Sequence, residues 1–284
     1  MQLDRPVIVT GTPRSGKSVI SEILDHLDEF KWVSEPLMVW DMDFGSRPDD
    51  RRGAEDATDE LRTRITSACA DLVGNNQGVR YLDDLAYHAL RTPFVHALMP
   101  HAKIIHVIRK PQDAVPEMSY GWSYKDTVAK AILRRRNAIR LRTLPRHLIR
   151  FARNFIVRRL KGRRETWGPR VPDLAEFVSG HCVAEVAGYQ WMKMVETAGN
   201  DLETLPQGSW LEVRFDRLLA DPGGEARRIG EFCGVKSPQA LADFAVEYID
   251  PTFVYDRRVE PTPEEWVKVN KMIESLQQQL GYTE

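Results

Sequence analysis

The chain has 284 residues, 42% of them hydrophobic, and a formal net charge of −1, enough apolar material for a full core in one domain and not the composition of a disordered chain. Its three cysteines, Cys69, Cys182 and Cys233, are widely spaced, which gives neither a CxxC metal pair nor an even disulfide framework and suits reduced thiols in a cytoplasmic protein.

The amino-terminal stretch "MQLDRPVIVTGTPRSGKS" holds one short apolar run before a polar glycine loop, so neither a signal peptide nor a spanning helix is expected. Within it Pro6 to Thr10 is short, β-branched and stopped by Gly11, the pattern of a buried parallel strand. Val19, Ile20, Ile23, Leu24 and Leu27 then recur at helical spacing. A second strand is expected at Lys31 to Val33, followed by "WVSEPLMVW" with Glu35 just beyond it. Asp41 to Glu60 is mostly acidic, and Gly45 to Thr58 within it reads as a surface loop.

Further strands are expected at Val79 to Leu82, Lys103 to Ile108 and Trp210 to Phe215, with helical patterns between them. That alternation predicts a three-layer α/β/α fold around a central parallel sheet, with residues 1–284 as a single P-loop domain. His106, inside an apolar strand, reads as a core histidine. From Thr127 to Arg164 there are fourteen Lys or Arg residues and no Asp or Glu. Within that run Leu144, Leu148, Phe151, Phe155 and Ile156 share one helix face while Arg146, Arg150 and Arg153 lie on another. The segment at about 127–170 is therefore expected to be a basic helical insertion, closed by the return loop "KGRRETWGPRVPD". Such a surface suits an anionic or lipid-linked acceptor and peripheral membrane contact. Nucleic acid is not expected as a partner, because no aromatic stacking platform accompanies the charge.

The site motif is "GTPRSGKS", Gly11, Thr12, Pro13, Arg14, Ser15, Gly16, Lys17 and Ser18. A glycine turn that opens a helix surrounds a phosphate with backbone N–H groups and the positive helix end. Lys17 adds a point charge and Ser18 a hydroxyl able to ligate magnesium.

The stretch "VTGTPRSGKSVISEIL" resembles the 5′-phosphosulfate loop of sulfotransferases that use 3′-phosphoadenosine 5′-phosphosulfate (PAPS). "MPHAKIIHVIRKPQDAV" resembles their strand-to-helix segment whose Arg binds the 3′-phosphate. "WGPRVPDLAEFVSGHCVAEVAGYQWMKMVE", "WLEVRFDRLLADPGGEARRIGEFCGV" and the ending "LQQQLGY" are similar to the later helices of bacterial members. The resemblance implies that Arg14 contacts the transferring sulfuryl group, that Ser15, Gly16, Lys17 and Ser18 hold the 5′-phosphate, and that Arg109 takes the 3′-phosphate. Glu35, beside Pro36, takes the place of the carboxylate base in carbohydrate sulfotransferases, in a partly desolvated cleft. The resemblance further implies a hydroxyl of a carbohydrate, lipid or small metabolite as acceptor and a reaction that requires no metal.

Three positions depart from the pattern. Eight residues after Arg109, where the family has a Ser, stands Glu117, whose charge repels a phosphate, so Ser119 is the substitute, brought in by a shift of the helix start at Pro116. The usual Lys of a neighbouring segment is replaced in "VRYLDDLAYHA" by Asp83 and Asp84, and Lys17 replaces a Thr. Lys17, Ser18 and a strand-end Asp are also the parts of a magnesium and ATP site. The alternative is thus an ATP/Mg-dependent kinase on the sulfotransferase framework, with Ser18 and Asp83 or Asp84 at the metal, although Arg80 interrupts the apolar strand expected there.

Overall fold

The computed structural model describes residues 3–40, 47–74, 78–124, 166–252 and 257–282. The Arg-rich helix expected within the basic insertion, with Arg146, Arg150 and Arg153, lies outside the described residues.

Five strands, Val7–Gly11 (β1), Phe30–Val33 (β2), Arg80–Asp83 (β3), Lys103–Ile108 (β4) and Trp210–Arg214 (β5), form one sheet in the order β2-β3-β1-β4-β5. Every pairing is parallel. The β-branched run of β1 occupies the centre, in register from Val7 opposite Lys103 to Gly11 opposite Val107, and every residue of it is buried. A central parallel strand is covered on both faces, which is why its sequence is continuously apolar.

The two faces build two cores. Val7 and Val9, with Ile105 and Val107 of β4, pack against Lys17–Asp25 (α1) and helices of the last third of the chain. Ile8, with Ile104 and Ile108, joins the opposite core, because successive side chains on a strand alternate in direction. Each such fully buried side chain contributes about 1.5–3 kcal/mol relative to exposure.

In chain order the remaining helices are Leu37–Trp40 (α2), Asp59–Val73 (α3), Thr92–Leu98 (α4), Pro111–Ser123 (α5), Leu174–Phe177 (α6), Val183–Leu202 (α7), Phe215–Ala220 (α8), Pro222–Cys233 (α9), Pro238–Tyr248 (α10) and Pro263–Gln279 (α11). α8, α9 and α10 join α1 on one face, while α3, α4, α5, α7 and α11 cover the other. α3 begins where the sequence changes character: Thr58 Oγ1 accepts from Leu61 N at 3.2 Å, and Asp59 and Glu60 fill the first turn, where helix dipoles favour carboxylates.

Residues 47–58, part of the expected acidic loop, are pinned rather than merely solvated. Arg47 pairs with Asp56, Arg51 with Asp201 on α7, and Arg170 with Asp50. Among the described residues no helix is long and apolar enough to cross a membrane.

Candidate active site

The motif lies at the carboxyl end of β1, in the middle of the sheet, where open parallel sheets bind ligands. Its glycines are dictated by contact. Gly11 has φ 150°, and a Cβ there would lie 2.2 Å from the Val107 carbonyl oxygen of β4. Gly16 has φ 93°, and its Cβ would lie 2.2 Å from ring carbons of Phe215 at the end of β5. Arg14 is left-handed too, with φ 66°, a conformation that costs a non-glycine residue about 1–3 kcal/mol and gathers at functional sites. The hydroxyls of Thr12 and Ser15 are buried with no hydrogen-bond partner among the described residues. Orphaned donors in a glycine turn at a helix start fit a phosphate.

Lys17 is buried, and its Nζ donates to Thr12 O at 2.7 Å, across the mouth of the loop. Burial lowers its pKa to about 8, with Arg14 adding to the fall and the Asp84 and Glu35 carboxylates opposing it. Asp84 ties the loop to Glu35. Its Oδ2 accepts from Ser18 Oγ at 2.9 Å, and its Oδ1 accepts from Glu35 N at 2.9 Å. Desolvation raises the Asp84 pKa, and those two donors and Lys17 oppose the rise. Glu35 is left-handed at φ 43° and exposed. β2 ends at Val33, and among the described residues the Glu35 side chain two positions later is exposed, where the sequence led to the expectation of a partly desolvated cleft.

Adjacent Asp83 has a different fate. It is fully buried, its Oδ2 accepts from Trp40 Nε1 at 2.7 Å and from Tyr81 OH at 2.9 Å, and its Oδ1 lies 3.2 Å from His88 Nε2. Those partners commit it to the core, so of the two aspartates Asp84 is the one at the phosphate loop. His106 is buried too, and burial lowers it to about 4, so its imidazole is neutral, as a core histidine's should be.

Arg109 closes the rear of the loop. Its Nη1 donates to Arg14 O at 3.2 Å, its guanidinium lies 5.2 Å from the centre of the Phe215 ring, and its carbonyl accepts from Trp191 Nε1 of α7 at 3.1 Å. Phe215 thus supports both Gly16 and Arg109. α5 begins at Pro111 and runs through Pro116, so Glu117 faces Arg109 with Oε1 at 3.0 Å from Nη1. Ser119 is buried, with no hydrogen-bond partner for its hydroxyl among the described residues. It lies two residues further along α5, turned about 200° around the helix axis from Glu117.

Residues 6–153 match the model of a family described as the sulfotransferase family. The chain belongs to that family. Its α/β fold is similar to that of sulfotransferase STF9 from Mycobacterium avium, at 15% identity over 98% of this chain and 77% of that one, with a TM-score of 0.50. Weaker likenesses include a sulfotransferase from Alicyclobacillus acidocaldarius, 15% identical over 96% of this chain and 97% of that one with a TM-score of 0.45. Another is mouse sulfotransferase SULT7A1 complexed with PAP, 13% identical over 96% of this chain and 84% of that one with a TM-score of 0.49. The sequence matches no curated protein. As a sulfotransferase the protein is a transferase, and the residues that organise its loop include several that its motifs did not announce. Phe215 and Trp191 hold Arg109 from β5 and α7. Gln190 holds the "WGPR" segment, its Nε2 donating to Trp167 O at 3.1 Å and to Pro169 O at 2.6 Å. This brings Gly168 against the phosphate loop, where its Cβ position lies 3.5 Å from Pro13 Cγ.

Proposed function

We propose that this sulfotransferase moves a sulfuryl group from PAPS to a hydroxyl of a carbohydrate, lipid or small metabolite. The observation that carries the reading is the single hydrogen-bonded unit of phosphate loop, Asp84 and Glu35, which puts a carboxylate beside a cationic anion site. Glu35 takes the acceptor's proton as its oxygen bonds to sulfur. The bond from sulfur to the 5′-phosphate oxygen breaks, and that oxygen keeps the electron pair. Lys17, Arg14 and the loop N–H groups stabilise the charge that develops there, the electrostatic contribution that is commonly the largest in such sites. Arg109, behind the loop, would bind the 3′-phosphate of the donor and of the PAP product.

A second reading has its own observation. The Ser18 hydroxyl and Asp84 carboxylate, 2.9 Å apart, are the pair that holds magnesium in nucleoside-triphosphate loops, so ATP/Mg-dependent phosphoryl transfer with Glu35 as base is the competing chemistry. Calorimetric titration with PAP and, separately, with ATP and magnesium decides between them. Preference for PAP supports sulfuryl transfer; tight, metal-dependent ATP binding with no response to PAP overturns it.

A further inference from the structure

Glu117 is fully buried beside a cation that the proposed reaction needs for something else. Its Oε1 lies 3.0 Å from Arg109 Nη1, yet neither carboxylate oxygen accepts an aligned hydrogen bond from any described residue. Four charges face it: Arg109 from the end of β4, Arg14 from the phosphate loop, Arg258 from the segment before α11, and Asp113 from one turn back on α5. The segment bearing Arg258 is fixed there by Val259 N, which donates to Pro116 O at 3.0 Å.

Two anions cannot share one buried guanidinium at low cost unless one is neutral. An ionised carboxylate is an acceptor and nothing else, so it suits a ribose hydroxyl and opposes a phosphate; an acidic side chain on a ribose hydroxyl discriminates between nucleotides in this way in other folds. A protonated carboxyl is also a donor, and it can give that hydrogen bond to a phosphate oxygen.

We propose that Glu117 decides which group the bound nucleotide carries at its ribose 3′ position: ionised, it accepts from a 3′-hydroxyl and repels a 3′-phosphate, and it admits the phosphate as the neutral acid. The proposal rests on Arg109 being the cation at the ribose end, as in the reading above. Burial raises Glu117 to about 7, with Asp113 acting in the same direction and Arg109, Arg14 and Arg258 opposing, so the exchange falls near neutrality. Above that pH, binding of a 3′-phosphorylated nucleotide takes one proton from solvent, and binding of its 3′-hydroxyl counterpart takes none at this position.

The experiment is calorimetry of the full chain with PAP and with adenosine 5′-monophosphate, ligands that differ only at the 3′ position. It is run between pH 6.5 and 8.5 in buffers of different ionisation enthalpy. The expected result is a PAP-to-monophosphate affinity ratio that falls about tenfold per pH unit above about 7, with close to one proton more taken up for PAP than for the monophosphate, since Lys17 at about 8 takes up its proton for the 5′-phosphate of either ligand. Glu117→Gln, a permanently neutral side chain of the same shape, should flatten the ratio and raise it at least tenfold at pH 8. If that variant does not fold, the difference in proton uptake between the two ligands on the native protein still decides. PAP binding with no more proton uptake than the monophosphate shows, at a ratio independent of pH, overturns the role of Glu117 and leaves the donor reading standing. Failure of PAP to bind at any pH overturns both.

Discussion

Glu35 N–H donates to Asp84 Oδ1 across 2.9 Å, and through that bond an exposed residue, held at φ 43°, is fixed to the phosphate loop. Asp84→Ala removes this tie and the one to Ser18. Misplacement of a reacting group by an ångström costs about 100-fold in rate, so turnover should fall 10- to 100-fold while PAP affinity changes little. The chelator response separates the chemistries: insensitivity of native activity to metal removal is the sulfuryl-transfer outcome, and loss of it supports magnesium at Ser18 and Asp84.

Glu35→Gln tests the base. The change keeps the backbone tie to Asp84 and removes the proton acceptor alone, so turnover should drop by about 100-fold or more with donor affinity nearly intact. Retention of most activity in steady-state assays would show that another group takes the proton.

Lys17 gives a stability signature as well as a kinetic one. Its folded pKa of about 8 is below the ordinary 10.5, so between those values the unfolded chain holds the extra proton and stability rises with pH. Below pH 8 the full penalty applies. Lys17→Met should therefore be more stable than the native protein at pH 7 by about 1–2 kcal/mol, after loss of the hydrogen bond to Thr12, and should lack that rise in denaturant titrations. The same variant should lose donor binding or turnover by about 2–4 kcal/mol.

Gly16→Ala drives a methyl group to 2.2 Å from the Phe215 ring and strains a φ of 93°. We expect a loss of about 2–4 kcal/mol in stability and of measurable donor binding. Adding Phe215→Ala should relieve the clash but not the backbone strain, which thermal melts of the single and double variants would resolve.

The Arg-rich run rests on sequence alone. Each exposed cation near an anionic surface contributes about 1 kcal/mol, so Arg146→Gln, Arg150→Gln and Arg153→Gln together should abolish low-salt flotation with anionic liposomes. Equal flotation of native and triply substituted protein would leave those arginines with the acceptor, read by its Michaelis constant.

Much of the sheet is readable without coordinates because parallel strands advertise themselves. Lys103 to Ile108 is an apolar run with a clear stop at each side, and its bounds coincide with β4. The phosphate loop is equally local, since its glycines, lysine and helix start are contiguous. What sequence leaves open depends on which side chains meet from afar. Asp83 and Asp84 look equivalent as letters, and the end of β3 separates them, sending one into a core with Trp40 and His88 and the other to Ser18. Arg80, a break in the apolar pattern of the strand, sits at its opposite end, donating to the carbonyls of Arg5 and Cys233 at 2.9 Å each. Phe215 carried no functional mark in its own neighbourhood, because its importance lies in Gly16 and Arg109.

That aromatic ring also fixes an order of events. Residues 11–18 leave the ribosome before Val107 of β4 and Phe215 beyond β5, which hold their turn. Such non-local closure makes assembly slow, since the chain between the contacts must be gathered first. A nascent chain that ends before Phe215 carries every letter of the phosphate motif and lacks the wall on which Gly16 rests. Nucleotide binding therefore waits for Phe215, and on refolding it reports the completed sheet.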